Sequence, residues 1–222
     1  AALTTEQVES LTTAQVISLT SSQLNALASD QINAIETADL AALTTAQVAA
    51  LSSTNVAMLS TDQVVALSTA QVKALTSAQL NAMTSDQLEA IETADIAALT
   101  TAQLSKLTTT TLTELSTDQI AAMGTAQLAS LTTVQARALT TDQIVALQTQ
   151  DVAALTTLQL GALKASQALA LETADIGALS TAQLSKFSTA AIAALTATQI
   201  GALGTANVPG LTTAQVAALT SS

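Results

Sequence analysis

The sequence predicts an all-α solenoid, a superhelical coil of very short helices with one helix per eight-residue repeat. Three observations carry this reading. The chain from Thr4 to Leu219 divides into 27 octads without insertion or deletion, and such strictness means one structural unit stacked many times. Each octad opens with helix-start chemistry: Thr12-Thr-Ala-Gln15 is a capping box, in which a hydroxyl accepts from the backbone N–H of position four and the Gln side chain reaches back. Finally, charge is segregated within the octad. Thirteen of the sixteen acidic residues lie at positions one, three or four, whereas Lys73, Lys106, Arg137 and Lys186 lie at positions six or seven. A helix dipole favours acid at its start and base at its end. Because the pattern recurs with every octad, each octad has its own two ends.

The consensus is Thr-Thr-Ala-Gln-Val-Ala-Ala-Leu. Position eight is apolar in every copy, with Leu in 22 and Ile35, Met83, Ile91, Met123 and Phe187 in the others. Position five is Val, Ile or Leu in 25, the exceptions being Ala136 and Ala168. Position two is Ser or Thr except at Ala165 and Ala197; position four is Gln in 19 copies and position seven Ala in 19. Positions five and eight are thus the candidate core. A helix of about six residues is marginal alone, so neighbours must stabilise it. One continuous helix is disfavoured, since an octad at 3.6 residues per turn would carry the apolar stripe around the rod. The alternative is a β-solenoid, favoured by the Thr pairs; its corners call for Gly, Asn or Asp, and this chain has six Gly, all from Gly124 onward. Pairing octads into helical hairpins is a further arrangement, against which no odd-even alternation is visible.

A longer period runs through the octads. Asn25, Asn81 and Arg137 recur at intervals of seven octads, as do Asp30, Asp86 and Asp142, and Glu36, Glu92 and Gln148. Position-three acids fall at Glu6, Asp30, Asp62, Asp86, Asp118 and Asp142, alternating three and four octads apart. A coil with about 3.5 octads per turn would place them on one face; duplication of a seven-octad block would give the same spacing with no geometric meaning. With helices stacked about 8–10 Å apart, such a coil would be a rod of roughly 70 Å, stiffened by Ala and Leu locked inside it. Residues 1–222 are read as a single repeat solenoid and as a segment of a longer array, because both ends remain in repeat phase.

Composition excludes much chemistry. The 222 residues include no Cys, no His and one aromatic, Phe187, and carry a net charge of −11. There is no thiolate or imidazole, no common zinc or haem ligation, and no proton shuttle working near neutrality. Five scattered cations cannot neutralise a run of phosphates, and there are no aromatic platforms for bases, so no nucleic-acid partner is expected. No apolar run approaches membrane-spanning length, so no membrane insertion is expected. No nucleophile–base pair or phosphate loop is present. The expectation is a protein that is not an enzyme, with no catalytic, cofactor or metal residues and no small-molecule substrate.

Several residues invite a sharper reading. Four octads begin with Glu36, Glu92, Gln148 or Glu172, and in these four alone position four is Asp: Asp39, Asp95, Asp151 and Asp175. Two carboxylates at i and i+3 share a helical face and could serve calcium or acid–base chemistry. The favoured reading is a reversed cap, in which Asp serves the free N–H groups and Glu closes the corner. Met83, Met123 and Phe187 belong to the core and Met58 lies at position seven. Pro209, at position six of octad 26, with Gly201, Gly204 and Gly210 nearby, predicts a loosened penultimate repeat.

Strings of the Thr-Thr-Ala-Gln-Val-Ala-Ala-Leu type, running through the whole chain, resemble low-complexity octapeptide-repeat regions of large secreted or surface proteins of bacteria. The resemblance implies an extracellular or cell-surface structural element: a stalk, spacer or filament body, with end-to-end self-association as its possible partnership. The alternative is an α-solenoid that binds a protein along one face, although position six offers mainly Ala and small or polar residues such as Asn and Thr rather than the aromatic and Arg residues of binding faces. A third reading is ice binding, since the Thr rows resemble ice-binding proteins rich in Ala and Thr.

Overall fold

The structure is a computed structural model that describes residues 3–219. Its 26 α-helices and one short 3₁₀ helix follow the octads one for one, with no strand among the described residues. The β-solenoid alternative is therefore excluded. The chain separates into two compact units, Ala1–Leu107 and Thr108–Ser222. Both repeat the same construction.

Octad 6 shows how the unit is built. Thr45–Ala50 is helical, spanning positions two to seven, while Leu51 (φ −59°, ψ 142°) and Ser52 (φ −66°, ψ 152°) are extended and form the corner to the next helix, Ser53–Ala57. Two extended residues suffice to turn the chain, and none of the described residues has positive φ. The corner therefore needs neither Gly nor Asn, which is why a chain with its first Gly at position 124 can turn in every octad. The N–H of Leu51 bonds back to the carbonyl of Val48 at 3.2 Å, closing the helix end with a tightened turn.

Helices three octads apart lie against each other. In the first unit Thr45–Ala50 packs on Thr69–Ala74, and in the second Thr133–Ala138 packs on Thr157–Ala162. Side chains at position four meanwhile reach the octad four repeats earlier, as Gln71 does with Leu40 and Leu43. Contact at three octads in one direction and four in the other places each turn of the coil between three and four octads, within each unit. In the first unit Asp30 and Asp62, exposed at the starts of Ser29–Asn33 and Thr61–Val65, sit on octads 4 and 8, which are joined by Gln63.

The core is formed by positions five and eight through most of both units, including Ala136, Ala168, Met83, Met123 and Phe187. The Ala at position seven mostly stays outside it: Ala66, Ala146 and Ala202 are partly exposed. Buried instead, beside the Val and Leu, is the Gln of position four, for instance Gln63, Gln79, Gln143 and Gln159.

Octad 26 departs from the pattern as Pro209 and its glycines lead one to expect, with a turn and the 3₁₀ helix Val208–Gly210 in place of an α-helix. Gly210 is there for close approach. A Cβ at this residue would lie 2.8 Å from the Cβ and 2.9 Å from the Cα of Thr181, at the start of Thr181–Leu184. Gly204 has nothing within 4 Å of its Cβ position. Gly210→Ala is accordingly expected to destabilise the second unit by about 1–3 kcal/mol, as overpacking against backbone does. Gly204→Ala should be close to neutral, and urea unfolding of the two variants side by side checks the difference.

Candidate functional site

The side chains with the most distinctive geometry are the amides of position four, which form a seam along each unit. In the first unit, the Oε1 of Gln71 accepts from the backbone N–H of Ser68 at 2.8 Å, the first residue of its own octad. Its Nε2 donates to the carbonyls of Leu40 at 2.9 Å and Leu43 at 2.8 Å, one turn earlier in the chain. Gln63 joins Ile32 and Ile35 in the same way, both at 2.8 Å, and Gln79 joins Val48 and Leu51. The second unit repeats the figure: Gln159 to Leu128 and Leu131, Gln167 to Ala136 and Leu139, Gln215 to Leu184 and Phe187. In each case the two carbonyls belong to positions five and eight of the octad four repeats earlier.

Each amide thus answers a problem that the short helices create. A helix of six residues leaves most of its end groups without intrahelical partners, and burying them unpaired costs about 1–3 kcal/mol apiece. One planar amide accepts from an N–H at the start of its own helix and donates to carbonyls at the end of another. The Gln half of the capping box survives where the hydroxyl is missing: Ala28, Gly124 and Lys164 donate their N–H to Gln31, Gln127 and Gln167. Where Asn replaces Gln, the shorter side chain reaches only one of the two carbonyls, as Asn55 does with Leu24 at 3.2 Å and Asn207 with Leu179 at 2.9 Å.

Sequence reasoning assigns Gln to capping alone and misses its second role. The signal available is that position four is Gln in 19 octads, more uniform than a cap requires, since Glu caps as well as Gln. Glu cannot donate. A second stitch runs the other way, from position six to the octad three repeats later, and it uses the residues of the seven-octad period. Asn25 donates to Ala50 at 2.8 Å and accepts from the N–H of Ser52, Asn81 donates to Lys106 at 3.1 Å, and Arg137 to Ala162 at 3.2 Å.

The four Glu/Gln–Asp octads break the seam. Asp39, Asp95, Asp151 and Asp175 are all buried, between 1% and 5% exposed. In the second unit, Oδ2 of Asp151 accepts from the N–H of Gln148 at 3.3 Å and Oδ2 of Asp175 from that of Glu172 at 3.0 Å, as Gln Oε1 does elsewhere. In the first unit Asp39 accepts instead from the Thr13 hydroxyl at 2.6 Å. Glu36, Glu92 and Glu172 make no capping hydrogen bond with their side chains. Burial pushes the Asp151 carboxyl above its usual range, against the lowering effect of the Gln148 N–H. Among the described residues no three acidic side chains converge as a metal cluster.

The position-three acids Glu6, Asp30, Asp62, Asp86, Asp118 and Asp142 are exposed at helix starts. Apolar residues also reach the surface of the second unit in pairs three octads apart, Val134 with Leu158 and Val145 with Leu169, on helices that pack together. Among the described residues no helix is long and apolar enough to cross a membrane.

One-octad helices joined by regular amide stitches define the chain as an α-helical repeat solenoid. It belongs to the ALTTAQ repeat family, matched at residues 1–34, 32–69, 64–90, 88–125, 120–149 and 168–205. No curated protein matches the chain.

Two outcomes follow from the seam. Gln71→Ala removes the three hydrogen bonds described above, at about 1 kcal/mol each, and should cost about 3 kcal/mol. Gln23→Ala, at a residue that caps its own octad while its Nε2 has no partner among the described residues, should cost only about 1 kcal/mol. Thermal unfolding of the two variants separates stitch from cap. Asp151→Gln should stabilise at neutral pH. Because the folded-state pKa of Asp151 is raised, its penalty is absent below the unfolded value of about 3.9 and grows as pH rises toward the folded value. The pH-dependent part of the gain therefore disappears on acidification, which stability curves of parent and variant across the acid range would show.

Proposed function

We propose that this chain is a structural element, the body of an extracellular stalk, spacer or filament, with no catalytic role and no nucleic-acid partner. The observation that carries the reading is the seam of position-four amides, which commits a polar residue present in 19 of the 27 octads to holding turns of the coil together. From Gln63 onward the stitching glutamines at this position are buried and bonded to the backbone, so they serve rigidity. Most of the surface that remains is Ser, Thr, Ala and acidic residues, small and negatively charged, and suits solubility at high abundance. A bacterial cell-surface setting agrees with the absence of Cys and with the low-complexity octapeptide regions that the sequence resembles.

End-to-end association belongs to the same proposal. Gln7, Gln15 and Gln23 are exposed, and the Nε2 of each is without a partner among the described residues, whereas Gln31, Gln47 and Gln63 use the same atom for stitching.

Small-angle scattering of the purified chain tests the role. The expected result is the profile of an elongated particle, accompanied by a helical circular dichroism spectrum, and by lengthening of the particle as concentration is raised. A compact globular profile would refute the spacer reading.

A further inference from the structure

We propose that the Glu172–Asp175 corner of the second unit is a binding site for a hard cation of the calcium class, seated between octads 22 and 18. The atom that points to it is Oδ1 of Asp175. The side chain is 1% exposed, and this oxygen is buried with no hydrogen-bond partner among the described residues.

Its direction follows from comparison with the repeat. In a Gln octad, one end of the amide accepts from the N–H of position one, and the other end faces the carbonyls of positions five and eight, four octads earlier. Oδ2 of Asp175 takes the first role, accepting from Glu172. Oδ1 is therefore the atom standing where Nε2 stands elsewhere, and the carbonyls it faces are those of Leu147 and Ile144. Among the described residues no side chain donates to either carbonyl. By the register of the repeat, a carboxylate oxygen and two carbonyls share a place where the rest of the seam puts a donor.

Size fits the same conclusion. Asp is shorter than Gln by one C–C bond of about 1.5 Å. The stitched amides stand 2.8–3.0 Å from both carbonyls, as in Gln143 with Leu112 and Leu115, and a carboxylate one bond shorter, anchored on the Glu172 N–H, stands back from that pair. Calcium bonds oxygen at about 2.3–2.6 Å and takes carboxylates together with backbone carbonyls. An ion of that radius spans the gap and touches both sides.

The co-occurrence of Glu with Asp also acquires a reason. Glu172 is exposed, has no side-chain cap bond, and is the N-cap of the helix in which Asp175 stands three residues later. It can close over the ion as a second carboxylate. Gln148, its counterpart beside Asp151, cannot add that charge and instead accepts from Gln150 at 3.0 Å.

Equilibrium dialysis of the full chain against calcium chloride, in chelator-treated sodium chloride buffer, tests the site, with thermal unfolding followed in parallel. Asp175→Gln restores the consensus stitch, so this variant folds. It should bind one equivalent of calcium fewer than the parent and lose part of the calcium-dependent rise in melting temperature. Glu172→Gln, which reproduces the Gln148–Asp151 corner, should weaken that equivalent without unfolding the chain. Equal calcium binding by parent and Asp175→Gln would overturn the proposal. A parent stabilised by acid and indifferent to calcium would assign the gap to a proton, and a parent indifferent to both would assign it to a buried water; either result also overturns it.

Discussion

The structure depends on a single side-chain amide used twice. At position four a Gln oxygen accepts from the start of its own helix while the nitrogen of the same group donates to the end of a helix one turn away. No other common side chain does this. A carboxylate accepts at both ends, an ammonium only donates, and a hydroxyl is too short to reach across. Helices of about six residues are too short to persist by propensity, and their apolar burial is limited to two positions of the octad. The amide adds the directional term that apolar contacts lack, fixing which octad lies against which. Because it is buried and bonded at both ends, it converts what would be a costly polar group into the element that specifies the register of the coil.

Departures from the amide show the same rule from the other side. Asn55 and Asn207 keep half of the bridge because they keep a donor but lose a methylene. At Asp39 the acceptor half is rerouted, at Asp151 and Asp175 it is preserved, and in all three the donor half is lost, since a carboxylate has no hydrogen to give to the carbonyls of the facing octad. Such a replacement costs stability unless something positive fills the place, whether a proton, a water hydrogen or an ion. That Asp sits only in octads opening with Glu or Gln means the two positions act as one corner rather than as independent surface choices.

Much of this is legible in the sequence, and the reasons are physical. Octad phase, helix starts, the apolar pair at positions five and eight, and a turn of between three and four octads all leave periodic marks on residue type. Thr12 and Gln15 announce a cap, and Asp30 and Asp62 announce the alternation of three and four octads. What stays hidden is the partner of the Gln nitrogen. Its acceptors, such as the carbonyls of Leu40 and Leu43, are backbone atoms that every residue carries, so the bond leaves no mark on the accepting octad. For the same reason the seven-octad recurrence of Asn25, Asn81 and Arg137 is visible as a period without its meaning, which lies in the backbone carbonyls of Ala50, Lys106 and Ala162. The position-seven Ala, expected inside, is mostly half-exposed because three positions, not two, turn inward and Gln fills the third.

The stitches from one turn to the next also govern how such a chain can change in length. Removing or adding one residue shifts the amides of the following turn against the carbonyls they must meet. Removing or adding a whole octad leaves each Gln facing an equivalent pair, because every octad presents the same corner. Length is therefore quantised in octads, and genetic slippage within the repeat yields folded products only in that unit. The unbroken phase from Thr4 to Leu219 is what this filter leaves behind.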